Sequence, residues 1–162
     1  MRKGAVQQVF IYMMVIVIAG AVLLIGYSSI ESLIERSCEV EKTNFLSRLE
    51  RAFTGHERVG SSSIVELSAP CDYDLLCFVN FTASADNVDL QDEAMEQVIR
   101  DNLAAGTGMN VFIGDSRSAE AILSKGGLEV ENSAVICINS TRGIFEFRLT
   151  GIGRGRTLVS GE

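Results

Sequence analysis

The sequence predicts an α+β protein: a long N-terminal transmembrane helix continuing into an amphipathic helix, then a mostly antiparallel β-sheet with two shorter helices. Three observations predict it. From Gly4 to Ile30 no side chain is charged at neutral pH. Beyond that run, apolar residues recur at helical spacing with no proline between them. From Gly60 onward, short apolar runs alternate with turns rich in Gly, Ser, Asn and Asp. The expected organisation is a membrane-spanning segment at residues 1–30, a helical extension at 31–55 and an extracytoplasmic α+β domain at 60–162.

The opening segment comes first. A helix of about 20 residues crosses a hydrocarbon core of ~30 Å, and the uncharged run is longer than that. A secretory h-region is shorter, about 7–15 residues, and ends in a small-residue cleavage site. Gly26-Tyr27-Ser28 is a poor one, so the segment is expected to stay on the chain. Arg2 and Lys3 precede it and Glu31 and Glu35 follow it. Basic residues remain on the cytoplasmic side, which places the N-terminus inside and the rest outside the cell membrane as a single-pass protein.

"RKG" followed by "AV" and a long apolar helix resembles the class III signal of archaeal type IV pilin-like proteins. The resemblance covers about the first 30 residues. It implies cleavage between Gly4 and Ala5 on the cytoplasmic side, with the apolar segment retained as the core of a filament. Gln7 and Gln8 are similar to the polar residues near the start of such segments. The glutamate often found five residues into the mature chain is absent, and Val9 stands there.

The remaining elements follow in order. Ile34, Cys38, Phe45, Leu49 and Phe53 form one stripe among charged residues, and Gly55 is a stop. One continuous helix from Ala5 to Phe53 would be ~70 Å long. "GSSS" at residues 60–63 marks a junction. "SIVELSA" and "LLCFVNFTA" read as strands. A second helix is capped by Asp89, presents Met95, Val98, Ile99 and Leu103, and ends at "GTG". "NVFIG" reads as a strand, and "SAEAILSK" as a short helix capped by Ser116 or Ser118. "LEVE", "SAVICIN" and "GIFEFRLT" read as strands, the last two joined as a hairpin through "STRG". "GIGRGRTLVSGE" reads as a loose, glycine-rich end.

Without the anchor about 130 residues remain, enough for one domain with its own core. Setting Arg2 and Lys3 aside takes the net charge from −7 to −9. An acidic ectodomain argues against nucleic acid as a partner. The expected partners are the lipid bilayer and further copies of the chain, in a homo-oligomer or filament. Cysteines stand at 38, 71, 77 and 137. None forms a C-x-x-C pair, so no zinc site is expected. Outside the cell, disulfides are allowed. Four cysteines permit three connectivities. Cys71 with Cys77 across "DYDLL" is preferred, leaving Cys38 with Cys137; free buried thiols are the alternative. Two sequons, "NFT" at Asn80 and "NST" at Asn139, are candidate glycosylation sites in an exported protein.

Motifs with catalytic potential resolve into simpler readings. "VFIGDSRS" resembles the nucleophile block of SGNH-type hydrolases, which would make Ser116 the nucleophile. That chemistry needs a base within hydrogen-bond reach, and no histidine follows His56. A strand, a turn and a helix cap explain the same residues. His56, the single histidine, reads as a loop residue. The carboxylates of "CDYD" and "DLQDEAME" lack EF-hand spacing, and the latter suit a helix N-terminus. "GIGRGR" lacks the Lys-Ser/Thr element of a phosphate loop. No catalytic residue, metal site or cofactor is expected. Two function classes follow: a pilin-like structural subunit assembling through its apolar N-terminal helix, or a single-pass signal-anchored protein presenting a binding or accessory domain.

Overall fold

The computed structural model describes residues 3–161, with side chains for 11–27 and 37–161. The described chain contains α1 (Lys3–Gly55), β1 (Ser62–Ser68), β2 (Leu75–Val79), a 3-10 turn (Ala85–Asn87), α2 (Glu93–Ala105), β3 (Val111–Gly114), β4 (Ala119–Leu123), β5 (Leu128–Val130), β6 (Val135–Asn139), β7 (Ile144–Gly153) and β8 (Arg156–Ser160). It divides into two compact units, Met1–Val40 and Glu41–Glu162.

The described part of the first unit is helical throughout. The expected transmembrane helix requires correction: among the described residues no helix is long and apolar enough to cross a membrane. Within the apolar stretch of α1, side chains are described for residues 11–27. Those side chains are exposed on every side of the helix, the large apolar ones from Met14 at 50% to Leu24 and Tyr27 at 75%. Gly4 and Ala5 fall in the first turns of α1, where the backbone alone is described; Arg2 lies outside the described residues.

The second unit is layered. The end of α1 enters it with a stripe of Phe45, Leu49 and Phe53, all at most 3% exposed. Their spacing of four residues places them on one helix face. They pack into a core between two four-stranded sheets, ordered β1-β7-β8-β5 and β4-β3-β2-β6. In the first sheet β7 alternates strictly: Phe145, Phe147 and Leu149 are buried, and Ile144, Glu146 and Arg148 are exposed. This is the period-2 signature of a sheet with one wet face. The second sheet is covered on both faces. Leu76 and Phe78 of β2 point to the shared core, whereas Cys77 and Val79 point to a second cluster with Met95 and Ile99 of α2. Burial on both faces explains why "LLCFV" and "VFI" are unbroken apolar runs and not alternations.

Several expected elements changed. The mostly antiparallel sheet is divided into two, each still mostly antiparallel, with β5 and β8 the one parallel pair among the described strands. "SAEAIL" is not a helix but β4, paired with β3. α2 is capped by Asp92, whose carboxylate accepts from Met95 N at 2.9 Å, and not by Asp89. Its other end follows expectation: Gly106 takes φ 64 and its N–H reaches the carbonyls of Asn102 and Leu103.

"STRG" does make a tight turn. Arg142 and Gly143 both have positive φ, and Thr141 and Ile144 exchange backbone hydrogen bonds of 2.8 and 3.1 Å. Yet β6 joins β2 while β7 joins β1 and β8. Ile136 and Ile138 of β6 therefore meet the phenylalanines of β7 across the core instead of along an edge. The glycine-rich end is likewise ordered. Arg154 and Gly155 form a second turn with positive φ, and β8 returns into the middle of its sheet with Thr157 and Val159 fully buried. Gly151 admits the loop before β1: a Cβ there would collide with the carbonyl oxygens of Arg58 and His56.

Candidate functional site

One end of the β4-β3-β2-β6 sheet frames a cavity of about 520 Å³. Asp74 and Leu75 come from the start of β2, Cys137 and Asn139 from the end of β6, and Ser116 from the β3–β4 turn. The segment Asp89–Asp92, which leads into α2, forms the opposite wall. The cavity thus gathers residues of "CDYD", "DLQDEAME" and "GDS", which lie far apart in the chain.

Their chemistry is structural wherever a partner is visible. Asp92 is occupied in capping α2. Leu90 N donates to Glu96 Oε2 at 2.8 Å, and Glu96 also pairs with Arg100 at 2.9 Å. Gly114-Asp115-Ser116 is a hairpin turn. A Cβ on Gly114 would collide with the Ser118 carbonyl oxygen, and Asp115 Oδ1 accepts from Arg117 N at 2.8 Å and Ser118 N at 2.7 Å. Those two backbone N–H groups hold the Asp115 carboxyl below the usual carboxylate range, because they bond its charged form. Asp115 thus performs the turn-closing role that the sequence assigned to a helix cap on Ser116 or Ser118.

The single histidine is engaged elsewhere than at Ser116. His56 Nδ1 donates to the Ala52 carbonyl at 2.7 Å, and Nε2 is bonded to Ser63 Oγ at 2.7 Å. His56 is not among the residues that line the cavity. Among the described residues no group of three or more His, Cys, Asp or Glu side chains is placed to hold a metal ion.

The cysteines pair differently from the preferred connectivity. Cys77 is bonded to Cys137, which excludes both Cys71–Cys77 and Cys38–Cys137. Cys38 and Cys71 are disulfide-bonded as well. The missed signal was position within the element: Cys77 and Cys137 each lie in mid-strand, in "LLCFV" and "VICIN", whereas Cys71 lies before a strand. Of the two sequons, Asn139 is exposed at the end of β6. Asn80 is half-buried, and its Oδ1 accepts from both Thr82 N and Thr82 Oγ1.

Elsewhere in the second unit, Lys42 reaches Glu120 and lies 5.0 Å from the Tyr73 ring centroid. Burial pushes the Lys42 ammonium down, but hydrogen bonds to Glu120 and Tyr73 outweigh it and leave the group above its ordinary value. This cluster fastens α1 to β4 and the β1–β2 loop. No family model, curated protein or solved structure matches the chain.

Proposed function

We propose that this protein is a pilin-like structural subunit, acting outside the cytoplasm, whose apolar N-terminal helix assembles with the same helix of other copies. The observation that carries the proposal is the all-round exposure of apolar side chains over residues 11–27, with Leu24 at 75%. A helix apolar on every side requires an apolar environment, and equivalent helices supply one. The "RKG-AV" opening supports the same reading through its resemblance to class III signals. Two further features agree with it. Disulfide-bonded cysteines suit an extracytoplasmic chain. In the second unit Asp92 caps α2 and Asp115 closes the β3–β4 turn, roles that suit a packed head domain on a filament.

The test joins processing to assembly. Mature protein is expected to begin at Ala5, and a bulky substitution of Gly4 is expected to block processing and assembly together. Leu23→Asp within the apolar stretch is expected to abolish assemblies seen by electron microscopy, while the disulfide-bonded unit keeps its circular dichroism. Assembled protein retaining Met1, or assembly unaffected by Leu23→Asp, would overturn the proposal.

A further inference from the structure

β1 is an edge strand among the described residues. It is the outermost strand of its sheet, with β7 as its one neighbour. Ala69 N donates to Gly143 O at 2.8 Å, and Gly151 N donates to Ser61 O at 2.7 Å. Both bonds keep the register that sets Ser63 opposite Leu149, Val65 opposite Phe147 and Leu67 opposite Phe145. The ladder to β7 therefore belongs to the odd-numbered residues of β1. The N–H and C=O groups of Ser62, Ile64, Glu66 and Ser68 point the other way.

Natural edge strands are blunted by lysine, proline, bulges or brevity. β1 has seven residues, no lysine, no proline and no register shift. Two of the other edges, β5 and β4, carry such features. β5 has three residues. β4 meets β3 through a register shift and holds Glu120 in its ion pair with Lys42. β6 has five residues, two fewer than β1.

We infer that β1 pairs with β1 of a second copy, antiparallel about a two-fold axis through Val65, joining two four-stranded sheets into one of eight. The sequence Ser62-Ser63-Ile64-Val65-Glu66-Leu67-Ser68 fits this register. Ser62 lies opposite Ser68 of the other copy, and Ile64 opposite Glu66. All four outward-facing residues of each strand then exchange backbone hydrogen bonds. A shift of two residues toward the C-terminus would oppose Glu66 to Glu66, a like-charge pair. A shift of two toward the N-terminus would leave Ser68 without a β1 partner. Val65 meets Val65 on the face that carries Leu67, so the apolar face continues across the axis. The contact is isologous and closes on itself. It involves no residue of the apolar stretch 11–27 and is independent of assembly through that helix.

The test uses the full chain in detergent with Val65→Cys. A non-hydrogen-bonded antiparallel pair brings Cα atoms to about 4.5 Å, and the native Cys77–Cys137 bridge spans such a pair. Mild oxidation is expected to give a dimer with a 65–65 linkage by peptide mapping. Ile64→Cys, opposite Glu66 and not itself, is expected to give at least tenfold less. Ile64→Pro removes only an outward N–H, a position where an edge strand tolerates proline. Added to Val65→Cys, it is expected to leave circular dichroism unchanged and abolish the link. Absence of the 65–65 link in folded protein overturns the inference, and so does a link that survives Ile64→Pro. Helix-mediated assembly persisting in either case leaves the proposed function standing.

Discussion

Cys77 and Cys137 face each other directly across β2 and β6, with Cα atoms 4.0 Å apart. Asn80 N donates to Ala134 O and Ser140 N to Asp74 O, so the ladder bonds fall on even-numbered residues of β2. The two cysteines therefore occupy a non-hydrogen-bonded pair, the closer of the two kinds in an antiparallel ladder. The bridge lies in the cluster that α2 covers.

That bridge joins residues 60 apart in sequence. By the chain-entropy relation a loop of this length corresponds to about 4 kcal/mol of stability. Cys77→Ala/Cys137→Ala is expected to lower the unfolding free energy by about that amount in denaturant titrations. A loss below ~1 kcal/mol would contradict the constraint assigned to it.

Gly151 is where the 56–61 loop lies on β7. Its N–H donates to Ser61 O at 2.7 Å, and its O accepts from Gly60 N at 3.1 Å. Because the obstructing atoms are backbone, Gly151→Ala is expected to destabilise by about 1–3 kcal/mol. Gly126 is the control, since a Cβ added there would meet nothing within 4 Å. Gly126→Ala is expected to stay within about 0.5 kcal/mol. Thermal unfolding of the two variants measures the difference.

Thr157 is fully buried, and its Oγ1 has no hydrogen-bond partner among the described residues. A buried unsatisfied hydroxyl costs about 1–3 kcal/mol, and valine has nearly the same shape. Thr157→Val is therefore expected to raise stability by about 1 kcal/mol. A lower midpoint of unfolding would show that the hydroxyl is satisfied.

The β3–β4 turn should be acid-sensitive. Bonds from Arg117 N and Ser118 N lower the Asp115 pKa from its ordinary 3.8. A group whose pKa is lower folded than unfolded contributes stability above the unfolded value. That contribution fades as pH falls through the folded value. Amide shifts of Arg117 and Ser118 are expected to titrate below the ordinary carboxylate range. In Asp115→Asn the amide oxygen still accepts but does not ionise, so this titration should vanish.

The sequence by itself determined the locally encoded features. Phe45, Leu49 and Phe53 announced a buried helix face by their spacing of four, and all three are in the core. Gly106 announced the end of α2 because a left-handed residue there costs glycine little. The alternation of "GIFEFRLT" fixed which side of β7 is wet. Tertiary structure decided what depends on partners distant in the chain. "SAEAIL" is a strand because β3 offers it an edge and the Gly114-Asp115 turn folds it back. "RTLVS" is a central strand because β5 and β7 flank it, although its flanking glycines read as a loose tail. The cysteine partners depended on which strands became neighbours, and β2 lies beside β6 through a pairing of residues 60 apart. The cavity draws on the β1–β2, β3–β4 and α2-leading segments, whose meeting no local pattern records. Periodicity and capping act within a few residues, whereas strand order is set by burying two sheets and a helix around one core.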